Sequence, residues 1–340
     1  MVATPFPDDA THQLRELVRT GRFSEALEWY RRVEGSPVGR RPDAQLLAAT
    51  AATRLGEFPL AESFAGEALD QFRARGDADG RMRVLNLLGV IRFERGRLAE
   101  AERALAEALS LAAQLGDSLT SARACNNLAS AIHLHGRSDE AVGLYRGALL
   151  AYQRLGDRRG TAEAYHNLGL IYRQLGEWRN AEDATGEALR HAEMVGERGL
   201  LALATTGRAE LMAERAQLAQ ARQELERAGR WAAEAGDEVG GAEVERVRAL
   251  VAYKAGHLDE ALAHAEAARN TALAFDGAVL AAECTALSAL TLKRMGRSPE
   301  ADARRAEAEA GFRSLGATRM LERLADDWRA IPAKRGAGNR

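Results

Sequence analysis

One short motif returns every forty residues along most of the chain, and that period constrains the fold more than any other property of the sequence. The motif is a turn, Gly-x-(aromatic, Leu or Ser)-x-x-Ala. It recurs at Gly21, Gly56, Gly96, Gly136, Gly176, Gly256 and Gly296, and Ala216 holds the place of the absent glycine. Five positions on stands alanine in every unit: Ala26, Ala61, Ala101, Ala141, Ala181, Ala221, Ala261 and Ala301. A further alanine follows seven later, from Ala68 and Ala108 through Ala148, Ala188, Ala228 and Ala268 to Ala308. Self-similarity at this length marks a solenoid, in which no unit can bury its apolar face alone and each stacks on the next.

The units read as pairs of helices. No proline occurs between Pro59 and Pro299, while alanine, the strongest helix former, supplies 70 of the 340 residues. Gly76, Gly116, Gly156, Gly196, Gly236 and Gly316 end the second helix of each pair, and Asp77, Asp117, Asp157 and Asp237 stand next as helix N-caps. Pro59 and Pro299 fall in a first helical turn, where a missing N–H leaves no bond unmade. Seven residues before each turn stands a small residue: Ala49, Gly89, Ala129, Gly169, Ala209, Ala249 or Ala289. These allow the two helices of a pair to approach closely.

The unit Tyr165-x2-Leu168-Gly169-x2-Tyr172, followed by Gly176-x-Trp178-x2-Ala181, resembles the tetratricopeptide repeat, with tyrosine in place of the usual first tryptophan. Ala141-x3-Tyr145 resembles a later segment of the same motif. The long repeat is similar to those of kinesin light chains and of bacterial peptide-sensing or maltose-type regulators. The resemblance implies an all-α fold, an alpha-alpha superhelix (TPR solenoid) of about eight helix-turn-helix repeats over residues 9–316. The first repeat is shorter, 35 residues from Gly21 to Gly56, with Pro37 cutting its second helix. A C-terminal capping helix is expected over 317–331, with Met320, Leu321, Leu324 and Trp328 inward and Arg319, Glu322, Arg323, Asp326 and Asp327 outward toward solvent. Residues 332–340 are expected to be a disordered tail.

The remaining composition excludes more than it suggests. With 47 basic and 49 acidic residues, the chain has no charge bias toward nucleic acid or a membrane surface. Its first residues, Met1 to Asp9, show neither the basic nor the apolar segment of a secretory signal, so the expected address is cytoplasmic. Arginine outnumbers lysine heavily, which points to a GC-rich bacterial genome. Cys125 and Cys284 lie far apart and read as small core residues, with no disulfide framework or zinc spacing. No phosphate-binding loop, dinucleotide fingerprint, zinc helix or nucleophile elbow occurs. The expectation is a non-enzymatic protein with no cofactor and no metal.

What is left is the face presented by the first helices, which the repeat resemblance places on the concave side. Positions two, five, nine and twelve of each first helix share that face by their 3-4-3 spacing. They carry Arg83, Asn86 and Phe93, then Arg123, Asn126 and His133, then His166 and Arg173, with Asn127, Asn167 and Gln174 adjacent. Carboxamides offer donors and acceptors to an extended backbone, and arginine holds a carboxylate. These eleven residues are the candidate peptide-binding groove. Farther along, Glu210, Glu214, Glu243, Arg246, Lys254 and Glu283 mix both signs. The resulting reading is a protein–protein interaction scaffold or adaptor that binds a peptide segment of a partner, acidic or amide-bonding. The alternative is a ligand- or peptide-sensing regulator of a bacterial signalling or transcription system. Self-association through an exposed stacking face is compatible with either.

Overall fold

The computed structural model describes residues 9–332, which form seventeen α-helices and, among the described residues, no strand. The tail expected to be disordered lies, beyond residue 332, outside them. The chain divides after Leu128 into two compact units.

The first unit contains α1 (Asp9–Arg19), α2 (Phe23–Val33), α3 (Pro42–Arg54), α4 (Phe58–Ala74), α5 (Ala78–Glu94), α6 (Leu98–Leu115) and the start of α7 (Ser118–Leu134). The second holds the end of α7 and then α8 (Ser138–Leu155), α9 (Arg158–Gln174), α10 (Trp178–Val195), α11 (Arg198–Glu214) and α12 (Leu218–Ala235). It continues with α13 (Glu238–Ala255), α14 (Leu258–Ala274), α15 (Ala278–Met295), α16 (Ser298–Leu315) and α17 (Thr318–Ala330). No helix among the described residues is long and apolar enough to cross a membrane.

The periodic small residues are the contact points of the helix pairs. Ala61, Ala101, Ala141, Ala181, Ala221, Ala261 and Ala301 are all fully buried, as are Ala49, Ala129, Ala209, Ala249 and Ala289. At Gly89 the approach leaves no room for a side chain, since a Cβ there would lie 2.4 Å from Leu105 Cγ. Between these points larger side chains fill the layers: Tyr30, Phe64, Phe72 and Leu88 in the first unit, Leu225, Val244, Val247 and Val251 in the second. Cys284 is buried and Cys125 partly so; both are free thiols.

The helix ends follow the sequence signals. Asp77, Asp157 and Asp237 each accept a hydrogen bond from the amide three residues on, at 2.9, 3.0 and 2.8 Å. Asp117 accepts from the amides of Leu119 and Thr120, both at 3.0 Å. The turns that close α1 and α3 to α16 use left-handed backbone, and two of them impose it on residues other than glycine: Ala216 has φ 59° and Asp276 φ 57°. Ala216 closes its turn with the bonds the glycines make, Ala216 N to Ala213 O at 3.1 Å and Gln217 N to Met212 O at 2.9 Å. The repeat geometry overrides the local preference of these side chains.

Candidate functional site

Within each unit the first helices of successive pairs touch one another, α1 with α3 and α3 with α5, then α9 with α11, α11 with α13 and α13 with α15. No comparable run joins α10, α12, α14 and α16. The first helices therefore lie on the tighter, inner side of each unit's curve, and their shared face is the candidate site.

In the first unit, α5 and the start of α7 carry six of the residues picked out by spacing. Asn86 and Asn127 are half-buried side by side, with Asn127 Nδ2 donating to Asn86 Oδ1 at 3.3 Å. Asn126 is 5% exposed and its Nδ2 reaches Asn127 Oδ1 at 3.5 Å, so three carboxamides from two helices form one strip. Each carboxamide has two donors and two acceptor lone pairs, the same kinds of polar group that pair with a polypeptide backbone. Arg123 is exposed one turn from this strip, in the field of Asp117. Arg83 is exposed and ion-paired to Asp79 on its own helix. Phe93 lies half-buried toward the end of α5. One cluster here was not legible in the sequence: Arg92, Arg95 and Arg97 converge on Glu62 of α4, with Arg95 Nη1 at 2.6 Å and Arg92 Nε at 3.5 Å. Burial pushes the Glu62 carboxyl up, but Arg97 and Arg95 outweigh it and hold it below its ordinary value.

In the second unit the inner face carries a buried network of charge. Arg173 and Glu210, with side chains 6% and 5% exposed, pair at 3.0 Å between α9 and α11. Glu210 also accepts from Arg246 of α13 at 3.1 Å, and Arg246 reaches Glu243 at 2.7 Å and Glu283 of α15 at 3.5 Å. Burial raises the Glu210 carboxyl, yet Arg173 and Arg246 together hold it far below the usual carboxylate range. Glu283, at the end of the chain of charges with Arg246 shared among three carboxylates, is pushed by burial up to about 7. On the spacing argument Arg173 offers its guanidinium to a partner. In the structure that guanidinium is already committed to Glu210, an internal pairing with the residue 37 positions on.

His166 sits beside this network, 9% exposed, with its ring so close to Gly207 that a Cβ there would lie 2.8 Å from Cε1. Burial lowers its pKa to about 4, with Glu210 opposing and Arg173 assisting, so the ring is neutral at pH 7. His133 is half-buried, its Nε2 2.7 Å from Gln174 Oε1 and its Nδ1 3.2 Å from Ser138 Oγ. An amide oxygen only accepts, which puts the proton on Nε2 and leaves Nδ1 to accept from the serine. Asn167 is half-buried on α9. Of the eleven candidates, three form an amide strip in the first unit, His133 and Gln174 pair in the second, and His166 and Arg173 are built into a buried network; the other four, Arg83, Phe93, Arg123 and Asn167, lie along α5, α7 and α9. Among the described residues no three His, Cys, Asp or Glu side chains are grouped to hold a metal ion.

The tetratricopeptide-repeat family model matches residues 41–114 and 120–194. No curated protein sequence matches the chain significantly. Among solved structures, a Rap protein complexed with competence and sporulation factor superposes with a TM-score of 0.65 at 12% identity, over 95% of each chain. The Rap conjugation gene regulator of the plasmid pLS20, in complex with the Phr* peptide, gives 0.62 at 14% identity over 96% of this chain and 99% of that one. NprR in complex with its cognate peptide NprX gives 0.62 at 13% identity over 96% and 100%. At these identities the structural likeness establishes the fold. Repeat period, helix pairing and family match agree: residues 41–114 and 120–194 carry tetratricopeptide repeats, and the described chain has the tetratricopeptide-repeat fold.

Proposed function

We propose that this protein is a non-enzymatic, peptide-responsive regulator that binds a short extended peptide on the inner face of its first helices. The observation that carries the reading is the strip of Asn86, Asn126 and Asn127, three carboxamides from neighbouring helices on that face. Alternating donors and acceptors there match the two polar groups that every residue of an extended chain presents. Exposed Arg123 lies at the edge of the strip and takes a carboxylate, either a peptide's C-terminus or an acidic side chain. The preference for acidic ligands is narrower than the sequence implies, because Arg83 and Arg173 are committed to Asp79 and Glu210.

The sensing reading stands ahead of the scaffold reading for one reason. The solved structures named above, which superpose over nearly their whole length, are complexes with a peptide or with competence and sporulation factor. A short diffusible peptide in the cytoplasm is thus the favoured occupant, and a segment of a larger protein the second. The test is selection from a randomised peptide library displayed on phage. The wild-type protein enriches a sequence family, and Asn86→Ala/Asn127→Ala does not. Enrichment of the same peptides by both proteins would remove the amide strip from the reading.

A further inference from the structure

The last helix of the second unit is not a simple lid on the final repeat. Gly316, just before it, lies against His135 in the turn between α7 and α8, where an added Cβ would stand 3.5 Å from the imidazole. Arg319 then reaches across the unit: Nη2 donates to the carbonyl of Gln174 at 2.9 Å and Nη1 to Ser138 Oγ at 3.3 Å, partners 145 and 181 residues away in sequence. One turn on, Arg323 Nη2 stands 3.4 Å from Glu214 Oε1, and the other oxygen of Glu214 accepts from Lys254 Nζ at 2.7 Å. Asp327, a further turn on, lies in the field of Lys254 and Glu214. Trp328 is held between Lys293 Nζ and the Arg305 guanidinium, 4.4 and 4.9 Å from its ring centroid, and Lys293 also donates to its carbonyl.

A register match underlies these contacts. Gln174, Glu214 and Lys254 are the same position in three successive repeats, at the C-terminal ends of α9, α11 and α13. Arg319, Arg323 and Asp327 recur every fourth residue and so share one helix face. The carbonyl of Gln174 and the carboxylate of Glu214 meet the guanidinium groups of Arg319 and Arg323, and Asp327 lies in the field of Lys254. Arg319, expected to point outward, is instead half-buried against Gln174 and Ser138, whereas Arg323 stays exposed while it reaches Glu214.

The attachment is polar to an unusual degree. Leu324 is the one buried residue within α17, and Arg323 keeps a side-chain exposure of 50%. Contacts of that kind are individually weak and screened by salt, unlike the alanine-lined packing of α15 on α16. We propose that α17 is a displaceable strap. It docks across the C-terminal ends of α9, α11, α13 and α15 and joins the last repeat to the α7–α8 turn, and its release uncovers Gln174, Glu214 and Lys254 and frees the two ends of the second unit to separate. The inference does not depend on which ligand the protein binds.

Hydrogen exchange measured by mass spectrometry on the full chain, at ~50 and ~500 mM sodium chloride, tests it, because the Debye length shrinks several-fold over that range. In the wild type, peptides covering residues 318–330 should exchange at least fivefold faster at high salt, while those in α9, α11 and α13 keep their rates. In Arg319→Ala/Arg323→Ala the same segment should exchange at least tenfold faster at low salt and lose most of its salt response. The proposal is overturned if the wild-type α17 is as protected as α15 and α16 at both salt concentrations. It is equally overturned if the double variant leaves α17 unchanged or loses protection in α15 and α16 to the same extent.

Discussion

Acid should destabilise this protein in part through His166. Burial against Gly207 and beside Arg173 lowers its pKa to about 4, against 6.5 for the unperturbed group. A group whose folded pKa lies below its unfolded value binds fewer protons in the native state. Its contribution is complete above pH 6.5, is lost as pH falls, and reaches its full loss below pH 4. At about 1.4 kcal/mol for each pH unit that separates the folded and unfolded values, the span amounts to about 3 kcal/mol, and about 2 kcal/mol is lost between about pH 7.5 and pH 5. His133, also lowered by burial, adds in the same direction, whereas Glu283, raised to about 7, gains stability as pH falls. The informative quantity is therefore the difference between wild type and His166→Gln, in which those contributions cancel. Urea denaturation at both pH values should show the variant losing about 2 kcal/mol less than the wild type on acidification, even though it starts less stable at about pH 7.5. Proton NMR of the imidazole should place its titration midpoint near 4. Equal acid sensitivity in the two proteins, or a midpoint near the unperturbed 6.5, would refute the burial argument.

Two substitutions test the repeat geometry in opposite directions. Ala216→Gly relieves a left-handed backbone that alanine adopts at φ 59°, and it should stabilise the chain by about 0.5–1 kcal/mol, read as a rise in thermal midpoint. A fall would mean that the turn is set by contacts of the alanine methyl. Gly89→Ala forces a Cβ to within 2.4 Å of Leu105 Cγ and should cost about 1–3 kcal/mol, with exchange rising in α5 and α6 first. If Ala is accepted without loss, the close approach of that helix pair is not structural.

The fold was largely legible because it is encoded locally and repeatedly. The turn glycines, the N-cap aspartates and the small residues seven before each turn act within one helix pair, and the period shows them many times over. Ala216 and Asp276 were readable only as gaps in the pattern, yet the structure holds both in the glycine conformation. The site was legible in part. Helical spacing places Asn86 and Asn126 on one face, with Asn127 adjacent, because face membership follows from the 3.6-residue turn. It did not reveal that Arg173 is bound to Glu210 or that Glu62 gathers three arginines, because those pairings depend on the stagger between neighbouring helices, which a single helix does not specify. For α17 the limit was of another kind. Amphipathicity identifies the apolar side of a helix, but it does not distinguish a polar side that meets water from one that meets a charged track.

The central claim is that a peptide lies along the amide strip on the inner face of the first helices. Titration calorimetry with a library-selected peptide tests it most directly, comparing wild type, Asn86→Ala/Asn127→Ala and a distant control, Arg190→Ala, on an exposed helix face. The account predicts a loss of affinity of at least tenfold in the double variant, about 1.4 kcal/mol, with the control and the thermal midpoints nearly unchanged. Affinity equal in all three proteins would contradict it.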